Sequence, residues 1–427
     1  MRLPLTAAQR GVWFGHLADP DGQAYNIGQY TEIVGDIDVA VFQAAARHVY
    51  EGTEALRLRV YEADGELWQD LCAPRPFDVP VDDVSPAADP HGAALALLGR
   101  DLEAPFDLVA GPLFRFRLVK LAAGRWYWGQ AYHHVAIDGI SASLIAARVA
   151  ESYTVLAAGQ ALPVWRPALA ELIAVDASYR QSPAFAEGRA FWRDALSGCE
   201  AAPSWSGARP TGGKLFVRQT LYLPEALTVK LQALGLENGG GPGRLVIVAA
   251  TLLQAMHGRS EDVVIGLPLL GRRGRLARET PMMASNIGHI RLRVSGGTHL
   301  SDLQSALAAA MRGALRHQLY RFEDLDRDMG GGVLKDMAAV SVNLMPFSYD
   351  LTFGGLPSAT HNLSNGPVGG LALSVYDHSD SRQLRLDLDG NRDFYTVPEL
   401  RLYLTQLEHI LAQLVEAAPG LPVGALA

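Results

Sequence analysis

Two adjacent histidines, His133 and His134, followed by Asp138 and Gly139, are the residues best placed by type and spacing to do chemistry. An imidazole titrates near pH ~6.5, so it can take up or position a proton at neutral pH. An aspartate nearby could orient that imidazole, as in a triad, or pair with an arginine to hold the turn. No third cluster at ligand spacing accompanies the pair, so no metal is expected. Adjacent side chains on an extended segment point to opposite faces. One histidine is therefore expected to face a cleft and the other to pack inward.

The elements around the pair must hold it. Arg125–Tyr132 is aromatic and alternating and predicts a half-buried strand; Ile140–Tyr153 has helical spacing. The histidines thus sit where a strand runs out into a turn. Phe114–Leu118 alternates strictly and predicts a hairpin with Arg125–Tyr132. Further upstream, Thr6 is an N-cap for a helix with Val12, Trp13, Phe14 and Leu17 on its apolar face. Gln29–Val34 reads as a strand and Val39–Tyr50 as an amphipathic helix. Leu56–Tyr61 and Glu66–Leu71 pair across an Asp-Gly turn, and Pro90–Leu102 is a helix capped by Asp89.

Gly159–Pro167 reads as a linker, after which the order strand, helix, helix, strand recurs. It comprises Phe216–Leu223, Pro224–Leu234, Arg244–His257 and Val263–Leu267. Leu371–Tyr376 and Leu384–Leu388 form a last hairpin through Asp377–Gln383, and a helix from Val397 to Ala417 closes the chain. The glycine-rich Asn238–Gly243 lacks a Gly-Lys-Ser/Thr ending and reads as a loop, not a phosphate cradle.

At 427 residues the chain predicts two lobes. A net charge of −8 argues against nucleic acid, which needs a basic footprint. The longest apolar run, around Leu245–Met256, is too short to cross a bilayer, and Met1 leads directly into folded-looking sequence. Two cysteines, Cys72 and Cys199, make no disulfide framework and suit a reducing, cytoplasmic setting.

The pattern His133-His134-x-x-x-Asp138-Gly139 resembles the signature of nonribosomal peptide synthetase condensation domains, in the chloramphenicol-acetyltransferase-like superfamily. Other motifs follow in the family's order. Leu5-Thr6-Ala7-Ala8-Gln9 resembles the first; Glu54, Leu56 and Arg57 match the second, with Gly52 and Thr53 replacing its Arg-His pair. Tyr179-Arg180 and Phe191-Trp192 resemble the fourth, and Pro268–Arg273 a Gly-Arg turn. Ser285-Asn286 resembles the fifth and His317-Gln318 the sixth; Asn343–Phe347 and Leu363–Val368 match the crossing region. Leu3–Trp13, Gly65–Gln69, Asp89–His91 and Arg125–His134 look like the condensation domains of enterobactin-type siderophore synthetases.

The resemblance implies an α/β (α+β) fold of two chloramphenicol-acetyltransferase-like lobes in a V-shaped pseudo-dimer. Each lobe is a mixed sheet flanked by helices, with a substrate tunnel between them. The lobes are expected at 1–165 and 166–427, with a floor loop at about 266–290 and a crossover at about 343–370. The implied reaction is amide formation. An acceptor aminoacyl amine on one carrier protein attacks a donor acyl or peptidyl thioester on another. Both are carried on 4′-phosphopantetheine arms, and no cofactor is bound. A monomer is expected, with carrier proteins and an adenylation domain as partners and neither nucleic acid nor membrane.

His134 is the expected central side chain, as base or as positioner of the amine; His133 is structural. The resemblance implies a salt bridge at Asp138, with Arg272 or Arg57 as its partner. Gly139 leaves room for an arm, and its N–H could serve the oxyanion. Gly11, Ser285, Asn286 and Asn343 are expected along the tunnel. Four rival readings stand beside this one. A heterocyclisation domain has aspartates in place of both histidines, and His133 and His134 argue against it. An epimerisation domain needs an added acidic base in a Glu-Gly-His-type motif, and no such motif is found between Gly198 and Met282. An ester-forming acyltransferase keeps the same residues, and a non-catalytic recruitment platform does not need the intact His-His pair.

Overall fold

The computed structural model describes residues 1–427 apart from 20, 200–204, 208–214, 238, 332–333, 335–337, 339, 346–350, 378–382, 419 and 427. It divides into two compact units. The first comprises Met1–Gln181, Arg272–Ser285 and Tyr349–Gly366; the second comprises Ser182–Gly271, Asn286–Ser348 and Pro367–Ala427.

The first unit runs β1 (Arg2–Pro4), α1 (Ala7–Leu17), β2 (Asn26–Val34), α2 (Val39–Gly52), β3 (Leu58–Ala63), β4 (Glu66–Leu71), β5 (Val81–Asp83), α3 (Pro90–Glu103), β6 (Phe114–Ala122), β7 (Arg125–His133), α4 (Gly139–Ala157) and α5 (Leu169–Arg180). The second unit begins with α6 (Pro183–Ala195), β8 (Phe216–Tyr222), α7 (Glu225–Glu237), α8 (Gly241–Gly258) and β9 (Asp262–Leu269). The chain returns to the first unit for α9 (Gly274–Glu279), then to the second for β10 (Asn286–Arg293), α10 (Leu300–Arg316), α11 (Phe322–Asp328) and β11 (Val340–Met345). β12 (Thr352–Phe353) and β13 (Leu356–Ser364) are again in the first unit; β14 (Leu371–Tyr376), β15 (Arg385–Asn391) and α12 (Val397–Glu416) complete the second. The expected boundary after residue 165 falls ahead of α5, which clusters with the first unit.

Each unit has one six-stranded mixed sheet flanked by helices, the α/β class expected. In the first the order is β12-β13-β2-β7-β6-β5, antiparallel except between β5 and β6. In the second it is β10-β9-β11-β14-β15-β8, with β11 parallel to both neighbours. A small sheet, β1-β4-β3, completes the first unit. Its β3–β4 turn places Asp64 at φ 56° and Gly65 at φ 75°, a type I′ pair that matches strand twist.

β7 differs from its expected half-buried pattern: all its residues after Arg125 are buried. The reason is its central place in the sheet. Trp128 packs edge-on against Phe42 of α2 on one face, and α3 covers the other. That closeness depends on Gly129, where an added Cβ would stand 2.2 Å from Leu98. α4 is long and apolar enough to cross a membrane by length and composition, and in this fold it packs against α2 and β12.

Candidate active site

The site is built where β7 ends and α4 begins. β2 guides the strand's exit: Asn26 pairs with His133, and the Tyr25 carbonyl accepts the His134 N–H at 2.8 Å. The chain then leaves the sheet, so the two histidines diverge as their spacing predicts. His133 is fully buried and His134 half-buried.

His133 is fixed at both nitrogens. Its Nδ1 accepts the Val135 N–H at 3.1 Å, so the proton sits on Nε2 and is donated to His16 Nδ1 at 3.2 Å. Burial, then the neighbouring His16 and His134, holds its pKa well below the usual 6.5. It is a neutral strut. At His134, Nδ1 lies 2.9 Å from the Ile137 carbonyl, which can only accept, so Nδ1 carries the proton. Nε2 therefore carries the ring's lone pair. Gly366 makes room beside it, since a Cβ there would lie 3.2 Å from His134 Cδ2.

Asp138 does not touch this imidazole. It is 1% exposed, caps α4 through the Ser141 N–H, and receives Arg272 Nη2 at 2.7 and 2.8 Å on its two oxygens. Ser141 Oγ and the Ala284 and Ser285 amides complete its shell. Burial alone would raise its pKa; Arg272 and the hydrogen bonds reverse that, and the carboxyl stays below its usual range. Arg272 in turn donates to the carbonyls of Ala277, Thr280 and Met282. The cluster pins the returning segment Arg272–Ser285 to the start of α4.

Other expected residues fall elsewhere. Arg57 is not Asp138's partner; its Nη1 donates to the Cys72 carbonyl at 2.7 Å. Asn286 is 4% exposed, and its side chain is taken up by the backbone of the second unit, at Gln318, Tyr320 and Phe322. Its side chain braces this corner of the second unit. Gln318 likewise accepts the Gly271 N–H, and Trp192 donates to the His317 carbonyl. Asn343 lies on β11 opposite Ser374. Pro346 and Phe347 of the crossing motif, Asn238 and most of the Asp377–Gln383 turn lie outside the described residues. Gly11 sits partly exposed within α1, and Gly139 opens α4, whose first-turn N–H groups have no partner within the helix.

Sequence reading missed three supports. Gln9 donates to the Val135 carbonyl at 3.2 Å and to Gln69 at 2.9 Å, holding the turn from α1. Its local signals are the Thr6-x-x-Gln9 capping box and its place in the first motif, and neither names these partners. His16 and Ser141 carry no motif of their own, and their partners were not foreseen.

Residues 1–416 match the condensation-domain family. The chain is similar to a dimodular nonribosomal peptide synthase of Bacillus subtilis, 36% identical over 99% of this chain and 18% of the relative. It is also similar to enterobactin synthase component F of Escherichia coli O157:H7, 29% identical over 99% of this chain and 33% of the relative. It therefore spans about a third or less of the curated relatives it matches. Among solved structures, a variant of the starter condensation domain of rhizomide synthetase in complex with C8-CoA superposes with a TM-score of 0.91. That domain is 34% identical, with 100% of this chain and 97% of the other covered. With the His-His turn, its arginine clamp and the two mixed sheets all in place, the chain belongs to the condensation-domain family of nonribosomal peptide synthetases.

Proposed function

We propose that this chain performs the condensation step on carrier-bound substrates, with His134 as the residue that meets the reacting amine. The observation that carries the role is the tautomer. With Nδ1–H committed to Ile137, Nε2 can accept a hydrogen bond or a proton. The acceptor's amine nitrogen attacks the donor thioester carbonyl, forming a C–N bond and a tetrahedral oxyanion. The nitrogen then gives up a proton to Nε2, the C–S bond breaks, and the leaving thiolate takes a proton back. An α-amino group titrates near pH ~8, so part of it is already neutral and the base acts mainly on the intermediate. The Gly139 N–H at the head of α4 is available to the oxyanion.

The substrates arrive on 4′-phosphopantetheine arms of donor and acceptor carrier proteins. An adjacent adenylation domain, a monomeric state and a cytoplasmic setting belong to the same reading. Gly11, Ser285, Asn286 and Asn343 are proposed along the arms' path. Similarity to a starter domain and to an enterobactin synthase supports a donor that begins a chain, an aryl or fatty acyl group.

The test is a single-turnover assay with donor and acceptor loaded on separate carrier proteins, followed by intact mass of the acceptor carrier. Aryl and C8 acyl donors are compared. A donor-plus-acceptor mass with wild type, reduced at least tenfold in His134→Ala, supports the reading. Transfer unaffected by the substitution overturns His134's role, and no transfer with either donor overturns the proposed donor class.

A further inference from the structure

A cavity of about 120 Å³ opens in the first unit among β3, the segment after β4 and the start of β6. No residue of the His-His turn lines it. Its floor is aromatic: the rings of Tyr50, Phe77 and Phe114 lie 5.2 to 5.5 Å apart, centroid to centroid. Arg57 and Arg59, both partly buried, and the exposed Arg75 also line it.

None of the three forms an ion pair among the described residues, although the chain holds 45 acidic residues against 37 lysines and arginines. Arg57 spends Nη1 on the Cys72 carbonyl, and its Nε is buried without a partner. Asp70 lies across the β3–β4 ladder from Arg59 but forms no ion pair with it. Arginine is the residue suited to planar, bidentate recognition of an anionic group, and a buried donor without a partner is costly. Arginines gathered round one concavity favour an anion there. A water needs roughly 10–15 Å³ of such space, so the cavity suits an occupant of about ten non-hydrogen atoms.

We propose that this cavity binds a small organic anion. Its carboxylate would pair with Arg57, Arg59 and Arg75, and its aromatic or aliphatic body would lie on Tyr50, Phe77 and Phe114. The apolar floor selects against a bare inorganic anion, and the arginines select against a neutral hydrophobe. The site is separate from the condensation chemistry and does not depend on it.

Cys72 lines the same cavity, and Cys199 is the only other cysteine, so alkylation reports the location. Benzoate and octanoate are titrated into the full chain by calorimetry, with benzamide and inorganic phosphate as partial mimics. At least one carboxylate is expected to bind at one site and to slow iodoacetamide labelling of Cys72 but not of Cys199. Benzamide and phosphate are expected to bind at least tenfold more weakly. The double variant Arg59→Gln, Arg75→Gln is expected to lose at least tenfold in affinity with an unchanged melting temperature. The proposal is overturned if neither carboxylate binds, if either mimic binds as tightly, if Cys72 is not protected, or if the double variant binds like wild type.

Discussion

Asp138 and His134 stand at the two ends of one turn and are held in opposite ways. Around the aspartate, each carboxylate oxygen has three donors, drawn from Arg272, Ser141, Ala284 and Ser285. The histidine ring is fixed through Nδ1 and remains half-exposed. A carboxylate so occupied has no lone pair left to orient an imidazole, so a triad is not formed. The orienting is done instead by a backbone carbonyl, that of Ile137. The difference separates two jobs that a motif string runs together: Asp138 makes the turn, and His134 is what the turn presents.

The largest effect that can break this comparison is Asp138→Ala. It leaves the buried Arg272 guanidinium facing no carboxylate, which costs about 3–5 kcal/mol. Denaturant unfolding should show that loss, and activity should fall with it. If Asp138→Ala instead retains wild-type stability and loses only turnover, the division of labour drawn here is wrong. His134→Ala should do the reverse. Its unfolding free energy should stay within about 0.5 kcal/mol of wild type. Single turnover should drop at least tenfold, within the roughly 10²–10⁴-fold span of general base catalysis if the ring takes the proton.

Gly366→Ala tests the same ring from outside. The backbone there has φ +99°, a region a side chain enters at about 1–3 kcal/mol, and the new Cβ would press on His134 Cδ2. Both stability and turnover should fall, turnover less than in His134→Ala. Unchanged turnover would mean that the ring has slack on that side.

Much of this was legible in the chain and some was not, for physical reasons. The strand, turn and helix around His133 and His134 follow from local alternation and capping, as do the Thr6 cap and the Asp64-Gly65 hairpin. The clamp was half legible. Asp138 could be matched to an arginine only through resemblance, and of two candidates the fold brings Arg272, 134 residues away, while Arg57 faces another cavity. The partners of Asn286 were not legible, because its motif position says nothing of the three backbone groups it meets. The full burial of β7 was missed because an alternating pattern reports one covered face, whereas α3 supplies a second. Long-range partners leave no local period to read.

The smallest effect sharpens the contrast between His133 and His134 through pH. Burial lowers the pKa of His16, with Asp19 opposing, and lowers that of His133 further. Both are bases whose folded pKa lies below the unfolded value near 6.5. Above that pH both states are neutral and the pair contributes no pH dependence. Below it the unfolded chain takes up protons that the folded pair resists, so stability falls as pH drops. Protonating His16 would also replace the lone pair that receives the His133 Nε2–H with a second donor. Between pH 7.5 and 5.5, wild type should therefore lose more stability than His16→Asn, by up to about 1 kcal/mol on the scale of one titrating group. Equal slopes for wild type and His16→Asn would show that the His16–His133 contact does not govern the acid response of this turn.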